Sequence, residues 1–361
     1  MASQINPRLA RLWLADNIRQ YGYRKPLRLE SLSEPELRIL DYLEAGITAS
    51  QVQSLTQIAR ADSETVGSVL GRVSSVLTDS GRLAPELTAA EIDTKFAELA
   101  RLFSAEGNFA DALARRQSAR VFIESLGRTG LVFAKALSAS EIGTLLTLDQ
   151  LRVSEKDCLP LGHPRSSLGV PRATSAKAQL DNTQLQFHSR RSGSLDTVTA
   201  AVLIANHIVD PNSYQTWLAR DVPHVAICFD EEGVEISPLV LPGKTPCIGC
   251  IEKARFEADS NWQTIAPQLL ALDRSNEDSA MILFATGVVT NLLLDFIDQG
   301  SSVSSNALRL DRGGALWPFS LLLVLAAVVE VFDERAWCLA CRGNIQPVAR
   351  RCSARALGRR F

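Results

Sequence analysis

The stretch Pro242-Gly243-Lys244-Thr245-Pro246-Cys247-Ile248-Gly249-Cys250 carries the first of two Cys-x-x-Cys pairs, and Cys338-Leu339-Ala340-Cys341 carries the second. Each pair can clamp one side of a tetrahedral ion, and four thiolates suit a structural zinc site in which protein fills every position. The two pairs match in spacing. We therefore predict that Cys247, Cys250, Cys338 and Cys341 bind zinc and tie the segment near residue 250 to the end of the chain. Four ordinary cysteines and two redox dithiols are the alternatives.

The bulk composition is that of a globular protein. The chain has 361 residues, of which 46% are hydrophobic and 22% are charged, and its net charge is −2. This length allows two or three domains, and this charge gives no electrostatic footprint for nucleic acid or for a membrane surface. The apolar run 320–331 is too short to span a bilayer and contains Glu330. The first ten residues include polar ones throughout, so we expect a cytoplasmic protein with reduced thiols.

Residues 1–85 are predicted to form a small separate α+β domain. Segments 12–14 and 21–29 can form two short strands around a Gly turn. Ser33 and Glu36 have the spacing of a capping box, and Gly46 can end the helix that they start. Thr48 or Ser50 can begin a second helix and Ser63 a third, which Gly81 would stop. This order is typical of a winged helix.

The predicted third helix argues against DNA binding. Between Glu64 and Asp79 its only basic residue is Arg72, whereas a recognition helix needs cationic and amide groups for phosphates and base edges. A peptide-binding or structural role is favoured. Segments 29–33, 43–46 and 76–83 resemble the leader-peptide recognition domain related to the PqqD proteins. In that family a peptide adds as an extended strand beside a helix.

A second pattern begins after a predicted helical linker at 86–118. A strand at 121–124 precedes a Gly turn at 125–130, a helix follows, and a second strand at 142–148 ends at Asp149. A helix N-terminus after such a turn can bind phosphate, and the acid can accept hydrogen bonds from ribose. The usual first Gly of the turn is Ser125. A nucleotide site and a turn kept for folding alone are both open interpretations.

The remaining pattern predicts a mostly parallel sheet. Buried strands are expected at 199–205 and 222–229, separated by a helix near 214–219. Alternation of strands and helices is typical of α/β folds covered on both faces. Strands at 235–241 and 306–310 and a long apolar helix at 280–298 complete the predicted domain, 119–345. A basic tail, 346–361, follows.

The whole order resembles the ThiF/E1-like superfamily. The resemblance rests on the Gly turn, Asp149, the run Leu168-Gly169-Val170-Pro171-Arg172-Ala173, the run Val222-Pro223-His224, and Pro-Gly-x-Thr-Pro-Cys-x-x-Cys with a late second pair. It implies a Rossmann-like α/β fold that adenylates a C-terminal carboxylate with ATP and magnesium. More narrowly, the chain resembles the ThiF-like proteins of bacterial ribosomal-peptide modification clusters. That implies a precursor peptide or carrier protein and a partner modifying enzyme, and a homodimer is expected.

The resemblance also implies roles for single residues. Gly127, Arg128 and Gly130 would face the nucleotide phosphates, Asp149 would hold ribose, and Arg172 falls where the family has a phosphate-contacting Lys. The sequence assigns no catalytic residue.

The chain also departs from the family pattern. The Asn-x-x-Arg-Gln motif is not visible, although Arg165 could supply a guanidinium nearby. Asn206 lies closest to the position of a magnesium-binding Asp.

The retained and the missing residues of the family pattern leave two possible functions. The first is an adenylating enzyme that acts on a peptide or carrier-protein carboxylate. The second is a catalytically inactive, zinc-stapled scaffold that presents a precursor peptide to a partner enzyme. The loss of charged groups that would stabilise transferred charge favours the scaffold. The retained Gly127, Gly130 and Asp149 favour the enzyme.

Overall fold

The computed structural model describes residues 3–78, 96–102, 109–180, 184–187, 195, 197–272, 274–299, 307–314 and 316–319. These residues divide into two compact units. The first comprises the described residues up to 117 together with 297–299, and the second comprises those from 118 to 296 and from 307 onward. Cys338, Cys341, the apolar run 320–331 and the basic tail lie outside the described residues.

The first unit contains two small antiparallel sheets. Their strands are β1 (Gln4–Ile5), β2 (Arg11–Ala15), β3 (Ile18–Tyr21), β4 (Leu27–Leu29) and β5 (Leu77–Thr78). Strands β2, β3 and β4 pair in that order, and β1 pairs with β5. The sequence predicted two strands around one Gly turn in residues 12–29, but the structure has three strands there, so that prediction was wrong. The Gly turn lies between β3 and β4, where Gly22 has φ +82°, a conformation that favours glycine. The additional β2–β3 turn is made without glycine.

The helices of the first unit begin where the capping residues predict. The structure has helices at Glu34–Ala45, Ala49–Gln53, Leu55–Ile58, Ser63–Val73, Phe96–Leu99 and Phe109–Ser118. The Glu36 carboxylate accepts the Ser33 N–H at 2.8 Å, as the capping box requires. The Ala49–Gln53 helix has Thr48 as its N-cap, and the Ser63–Val73 helix has Asp62. Most of the helix predicted at 89–103 lies outside the described residues.

The hydrophobic spacing of these helices explains the core of the first unit. Apolar side chains that recur every three or four residues form one buried stripe on each helix. They pack together with residues of the short strands. The largest fully buried members are Ile5, Tyr21, Ile39, Leu40, Leu43 and Leu55. Arg72, the single basic residue of the Ser63–Val73 helix, forms an ion pair with Glu36 at 2.9 Å. The identification of this unit as a leader-recognition domain stays a prediction.

The second unit is built on one sheet of eight strands. The strands are β6 (Arg120–Ile123), β7 (Thr144–Thr147), β8 (Gln184–Phe187), β9 (Ala200–Asn206), β10 (His224–Phe229), β11 (Gly233–Ile236), β12 (Ala307–Asp311) and β13 (Leu316–Phe319). Their order is β13-β12-β11-β10-β9-β6-β7-β8. The five neighbouring strands β10, β9, β6, β7 and β8 are parallel to one another. Strands β11, β12 and β13 each pair antiparallel with their neighbours. The predicted α/β class with a mostly parallel sheet is confirmed.

Three strand predictions need correction. Strand β12 was predicted to be the last strand, but β13 follows it. Strand β8 was not predicted, because the polar residues Gln184 and Gln186 mask its apolar content. The strand predicted at 235–241 ends at Ile236, and farther along only Val240 forms an isolated bridge, with His224. Pro238 lies between them and has no N–H to donate to a neighbouring strand, which explains the early end.

Six α-helices accompany this sheet in the described part of the unit. They are Arg128–Ala139, Arg172–Lys177, Pro211–Ala219, Ile248–Ala258, Trp262–Leu270 and Ser279–Gln299. The rings of Phe122 on β6 and Trp217 on a helix lie 4.6 Å apart, so the Pro211–Ala219 helix packs on the sheet.

The predicted apolar helix is also present, as Ser279–Gln299. Among the described residues it is long and apolar enough to cross a membrane, but half of its most apolar window is buried inside the protein. Ile282, Ala285, Val289 and Leu293 are fully buried. Their spacing of three and four residues gives it the core-facing stripe of a globular protein.

Candidate functional site

A cavity of about 630 Å³ opens where the strand order of the sheet reverses. Strand β6 is followed along the chain by β7 and β8 on one side, and the chain then returns to β9 on the other. The loops after β6 and β9 diverge at this point, and open α/β sheets bind ligands in such crevices. Six charged side chains line the cavity: Arg128, Lys156, Arg172, Arg274, Asp157 and Glu277. Four cations against two carboxylates favour an anionic ligand.

The Gly turn after β6 forms one wall. Gly127 is the N-cap of the Arg128–Ala139 helix and lines the cavity. Gly130 has a packing role, since a Cβ there would lie 1.7 Å from the Ser125 carbonyl oxygen. Ser125 stands at the position of the usual first Gly, and its Oγ accepts the Gly127 N–H at 3.3 Å. This hydroxyl therefore uses a backbone donor that a phosphate could otherwise bind.

Asp149 follows β7, as the sequence predicts, but its carboxylate is directed at backbone. It accepts the N–H groups of Leu126 and Leu151, both at 2.8 Å. Its side chain is 3% exposed, and the nearest nitrogen of Arg172 lies 3.5 Å away. The carboxylate thus fixes the conformation of the Gly turn. A contact with ribose stays a prediction.

Arg172 lines the cavity but is paired with a carboxylate of its own chain. Its Nη2 and Nε lie 2.7 Å and 3.1 Å from the two oxygens of Asp157. Burial by itself would raise the pKa of Asp157, but hydrogen bonds from Ser154 and the guanidinium of Arg172 together hold that pKa below its ordinary value. Asp157 therefore stays ionised and holds Arg172 in place. Sequence reasoning missed Asp157, although its spacing from Ser154 is a local capping signal.

Arg128 brings a buried positive charge to the wall. It is 8% exposed. Its guanidinium donates to the carbonyl oxygens of Pro160 and Glu277, each at 2.8 Å, and to the Ser279 hydroxyl at 3.1 Å. All three acceptors are uncharged, so these contacts position the guanidinium without neutralising it. A buried cation of this kind favours an anion in the cavity.

The opposite wall is formed by Asn206 and a segment that precedes the long apolar helix. The Asn206 side-chain oxygen accepts the Asn276 N–H at 2.9 Å. The Asn276 amide lies 3.0 Å from His207 Nε2. Next along the segment, the Glu277 carboxylate accepts the Thr129 hydroxyl at 2.5 Å and the Thr129 N–H at 3.3 Å. No sequence signal marks this segment, since its partners are distant along the chain.

Glu124 follows β6 and links it to β9. Its carboxylate accepts the Ile204 N–H at 3.0 Å and the Ser213 hydroxyl. Burial raises the pKa of Glu124, and the two hydrogen bonds offset this only in part. The residue joins the ends of β6 and β9 and so fixes the spacing of the crevice.

Three further residues considered from the sequence, Arg165, His163 and Cys228, do not line the cavity. Arg165 forms an exposed ion pair with Glu155 at 2.7 Å. His163 is buried and bridges the Leu126 carbonyl oxygen and the Ser175 hydroxyl, each at 2.8 Å, so it supports the Gly turn. Burial raises the pKa of Cys228 to about 12, which keeps this thiol protonated.

The sulfur spacing of the first cysteine pair is compatible with zinc. The sulfur atoms of Cys247 and Cys250 lie 3.6 Å apart, and two thiolates on a tetrahedral zinc are about 3.8 Å apart when each Zn–S bond is about 2.3 Å. Cys338 and Cys341 lie outside the described residues. Within the described part of the chain, no group of three or more metal-ligating side chains comes together. The donor pair fits zinc, and the complete site stays a prediction.

No protein-family profile matches the sequence. A comparison with curated proteins finds no relative either.

Solved structures share the fold at low sequence identity. E. coli MccB with ATP aligns over 88% of this chain and 96% of its own, with a TM-score of 0.61 and 12% identity. E. coli MccB with AMPCPP and MccA covers the same shares at a TM-score of 0.64 and 10% identity. PaaA aligns over 75% of this chain and 95% of its own, at 0.58 and 14%. These likenesses support the fold assignment.

Proposed function

We propose that the second unit binds ATP in the cavity where the strand order of the sheet reverses, and that it adenylates the carboxylate of a peptide or carrier protein. The observation that carries this proposal is the cavity itself. One helix N-terminus and four cationic side chains face a single space at the carboxyl ends of β6 and β9. Helix N-termini and guanidinium groups are the usual protein partners of phosphate. The E. coli structures with this fold contain ATP and AMPCPP.

The proposed reaction needs few protein groups. A carboxylate oxygen of the peptide attacks the α-phosphorus of ATP, and the bond from that phosphorus to the bridging α–β oxygen breaks. Pyrophosphate leaves with the electron pair, and an acyl-adenylate remains. Arg128 and Lys156 are placed to stabilise the charge that develops on the phosphates, because both line the cavity.

Magnesium is expected to travel with ATP. Of the described carboxylates that line the cavity, Asp157 is bound to Arg172 and Ser154, and Glu277 is bound to Thr129. Asn206 uses its oxygen on Asn276. Magnesium often keeps several waters and substrate phosphates as ligands, so in this proposal the nucleotide supplies most of its coordination.

The first unit is proposed to hold the peptide. Its three-stranded sheet has β2 and β4 as outer strands, and an outer strand can pair with an extended peptide through main-chain hydrogen bonds. E. coli MccB has been solved with MccA and with N-formylated MccA. Deletion of residues 1–85 is expected to abolish peptide binding measured by fluorescence anisotropy. Unchanged binding would refute this role of the first unit.

Calorimetry with ATP and peptide-dependent ATP–pyrophosphate exchange test the enzyme directly. Arg128→Met is expected to weaken ATP binding about tenfold or more, because a charged hydrogen-bonding group contributes more than a neutral one. Arg165→Met removes an equal charge from an exposed ion pair and serves as the matched control. ATP binding without exchange on any candidate peptide would reject adenylation.

A catalytically inactive scaffold is the second candidate. Three groups expected to face ATP or magnesium are engaged inside the chain: Ser125 with Gly127, Arg172 with Asp157, and Asn206 with Asn276. The scaffold predicts peptide binding of normal strength and no ATP binding. In that case a partner modifying enzyme would complete the function.

Zinc, a homodimer and a cytoplasmic location belong to the same proposal. Cys247 and Cys250 would hold zinc together with Cys338 and Cys341, and the metal would stabilise the fold. Cys247→Ser is expected to remove about one zinc per chain and to lower the melting temperature. Unaltered metal content would reject the site. Sedimentation of the purified chain would test the homodimer.

A further inference from the structure

Glu277 reaches the first turn of the Arg128–Ala139 helix from 148 residues away. Its Oε2 accepts both the hydroxyl and the N–H of Thr129. Thr129 lies two residues past the N-cap, Gly127, whose residue type provides no side chain to cap the helix. A carboxylate therefore binds the donors that helices of this kind offer to phosphate.

The segment around Glu277 is tied to the same turn by its backbone. Arg128 donates to the Glu277 carbonyl oxygen and to the Ser279 hydroxyl. On the other side, the Asn276 N–H donates to Asn206 at the end of β9. Arg312 donates to the Asn276 carbonyl oxygen at 3.0 Å and to the Asp278 carboxylate. The segment thus spans the crevice, and Ser275 and Glu277 line the cavity.

These contacts have a consequence for any anion that enters. Phosphate and the Glu277 carboxylate need the same Thr129 donors, and both carry negative charge. At contact distance two anions in a partly buried site repel each other strongly. They cannot share the helix N-terminus, so one must leave when the other binds.

We propose that Glu277 is an internal competitor for nucleotide phosphate, and that nucleotide binding requires release of the Glu277 carboxylate from Thr129. This inference rests on the proposed function, because it takes the ligand of the cavity to be a nucleotide. The bound carboxylate lowers the apparent affinity by the fraction of molecules in which it is engaged. Release of residues 274–279 then accompanies nucleotide binding.

Calorimetry in the presence of EDTA tests the competition, with ATP and inorganic tripolyphosphate as probes. Glu277→Gln removes the charge and keeps the shape, and it is expected to bind both probes about tenfold more tightly than the wild type. Glu277→Asp keeps the charge but shortens the side chain, and a smaller gain is expected. Glu232→Gln is the matched control, since this carboxylate lies 79% exposed after β10, paired with Arg309 at 3.4 Å.

Hydrogen exchange supplies a second readout, and its first part needs no ligand. In Glu277→Gln the Thr129 amide is expected to exchange faster than in the wild type, and ATP is expected to accelerate exchange of residues 274–279 in the wild type. The same readout shows whether each variant is folded, because the strands of the sheet must stay protected.

The outcomes separate the two proposals. Equal or weaker probe binding by Glu277→Gln overturns the competition, and so does an equal gain in Glu232→Gln, because bulk charge would then explain it. Tighter binding without pyrophosphate exchange supports the competition and rejects adenylation. Absence of binding by every protein, with unchanged exchange at Thr129, overturns the competition together with the nucleotide site.

Discussion

The helices Glu34–Ala45 and Arg128–Ala139 begin in opposite ways. The first is capped from its own sequence, since Glu36 accepts both the N–H and the hydroxyl of Ser33, each at 2.8 Å. The second has a glycine as its N-cap, and the carboxylate on its first turn comes from Glu277. The first N-terminus is stabilised by residues of its own first turn, and Arg72 adds an ion pair to the same Glu36 carboxylate. The second depends on tertiary structure for its anion.

This difference separates a helix end that is capped by its own sequence from one whose donors are bound by a distant segment. Exposed donors at a helix N-terminus cost stability unless something binds them. A local cap binds them permanently, whereas a distant side chain can be exchanged for a ligand. The glycine-capped helix is therefore the one to examine for chemistry, and the following substitutions test the comparison.

The largest effect is expected from Gly130→Ala. The added Cβ would lie 1.7 Å from the Ser125 carbonyl oxygen, so the helix must move away from the turn, at a cost of about 3 kcal/mol or more in unfolding free energy. Denaturant unfolding, or loss of soluble protein, provides the measurement.

Gly127→Ala is the matched control for that substitution. Its nearest contact would be the Asp157 carboxylate oxygen at 3.5 Å, and its φ is −64°. We expect a change in unfolding free energy below about 1 kcal/mol and weaker ATP binding. Equal losses of stability in both variants would contradict the packing role of Gly130.

The next effect is expected from Asp157→Asn. Arg172 loses its charged partner but keeps Asp149 at 3.5 Å. The unfolding free energy is therefore expected to fall by about 2 kcal/mol at pH 7. Arg165 and Glu155 form the exposed counterpart at 2.7 Å, and Glu155→Gln is expected to cost less than about 1 kcal/mol.

At acid pH the difference in unfolding free energy between the wild type and Asp157→Asn should become smaller. The pKa of Asp157 is lowered in the folded protein, so its contribution is fully present above the unfolded value of about 3.9 and is lost as the pH falls through the folded pKa. Unfolding free energies measured from pH 7 down through pH 4 and below are expected to converge. A difference that grows on acidification would contradict this sign.

A smaller effect is expected from Ser33→Ala. Removal of the N-cap hydroxyl and its bond to Glu36 should cost the first unit about 1 kcal/mol. Circular dichroism during thermal unfolding can measure it. ATP binding should not change, and a change would contradict the assignment of this cap to stability alone.

The smallest effect is expected from Glu34→Gln. This side chain is 81% exposed in an i,i+4 pair with Arg38 at 3.4 Å, and such pairs contribute within about 0.5 kcal/mol. The same unfolding measurement should rank it below Ser33→Ala, which would show that the local cap, not surface charge, stabilises this helix start.

Much of the fold could be predicted because its signals are local. The capping residues Ser33 and Thr48 and the stop at Gly46 correspond to observed helix boundaries. The apolar runs of β6, β9 and β10 mark a buried parallel sheet, since strands covered on both faces lack alternation. Strand β8 was not predicted, because glutamine alternates with its apolar residues. Strand β11 ends before the predicted residue 241, because Pro238 cannot donate a hydrogen bond.

The candidate site was predictable in position but not in contacts. The Gly turn and Asp149 indicate a crevice after β6 and β7, and the structure has a cavity beside them. The partners of those residues carry no local signal. Nothing in the sequence pairs Arg172 with Asp157, directs Asp149 to the Leu126 amide, or brings Glu277 to Thr129.

The sequence by itself therefore determined most of the elements, their α/β order and the position of the helix that begins at Gly127, because helix caps, turns and apolar periodicity act over a few residues. Only the tertiary structure decided which charges face the cavity and which are neutralised within the chain. Ion pairs and hydrogen bonds between distant segments depend on distances of a few ångströms, and those distances are set when the sheet assembles.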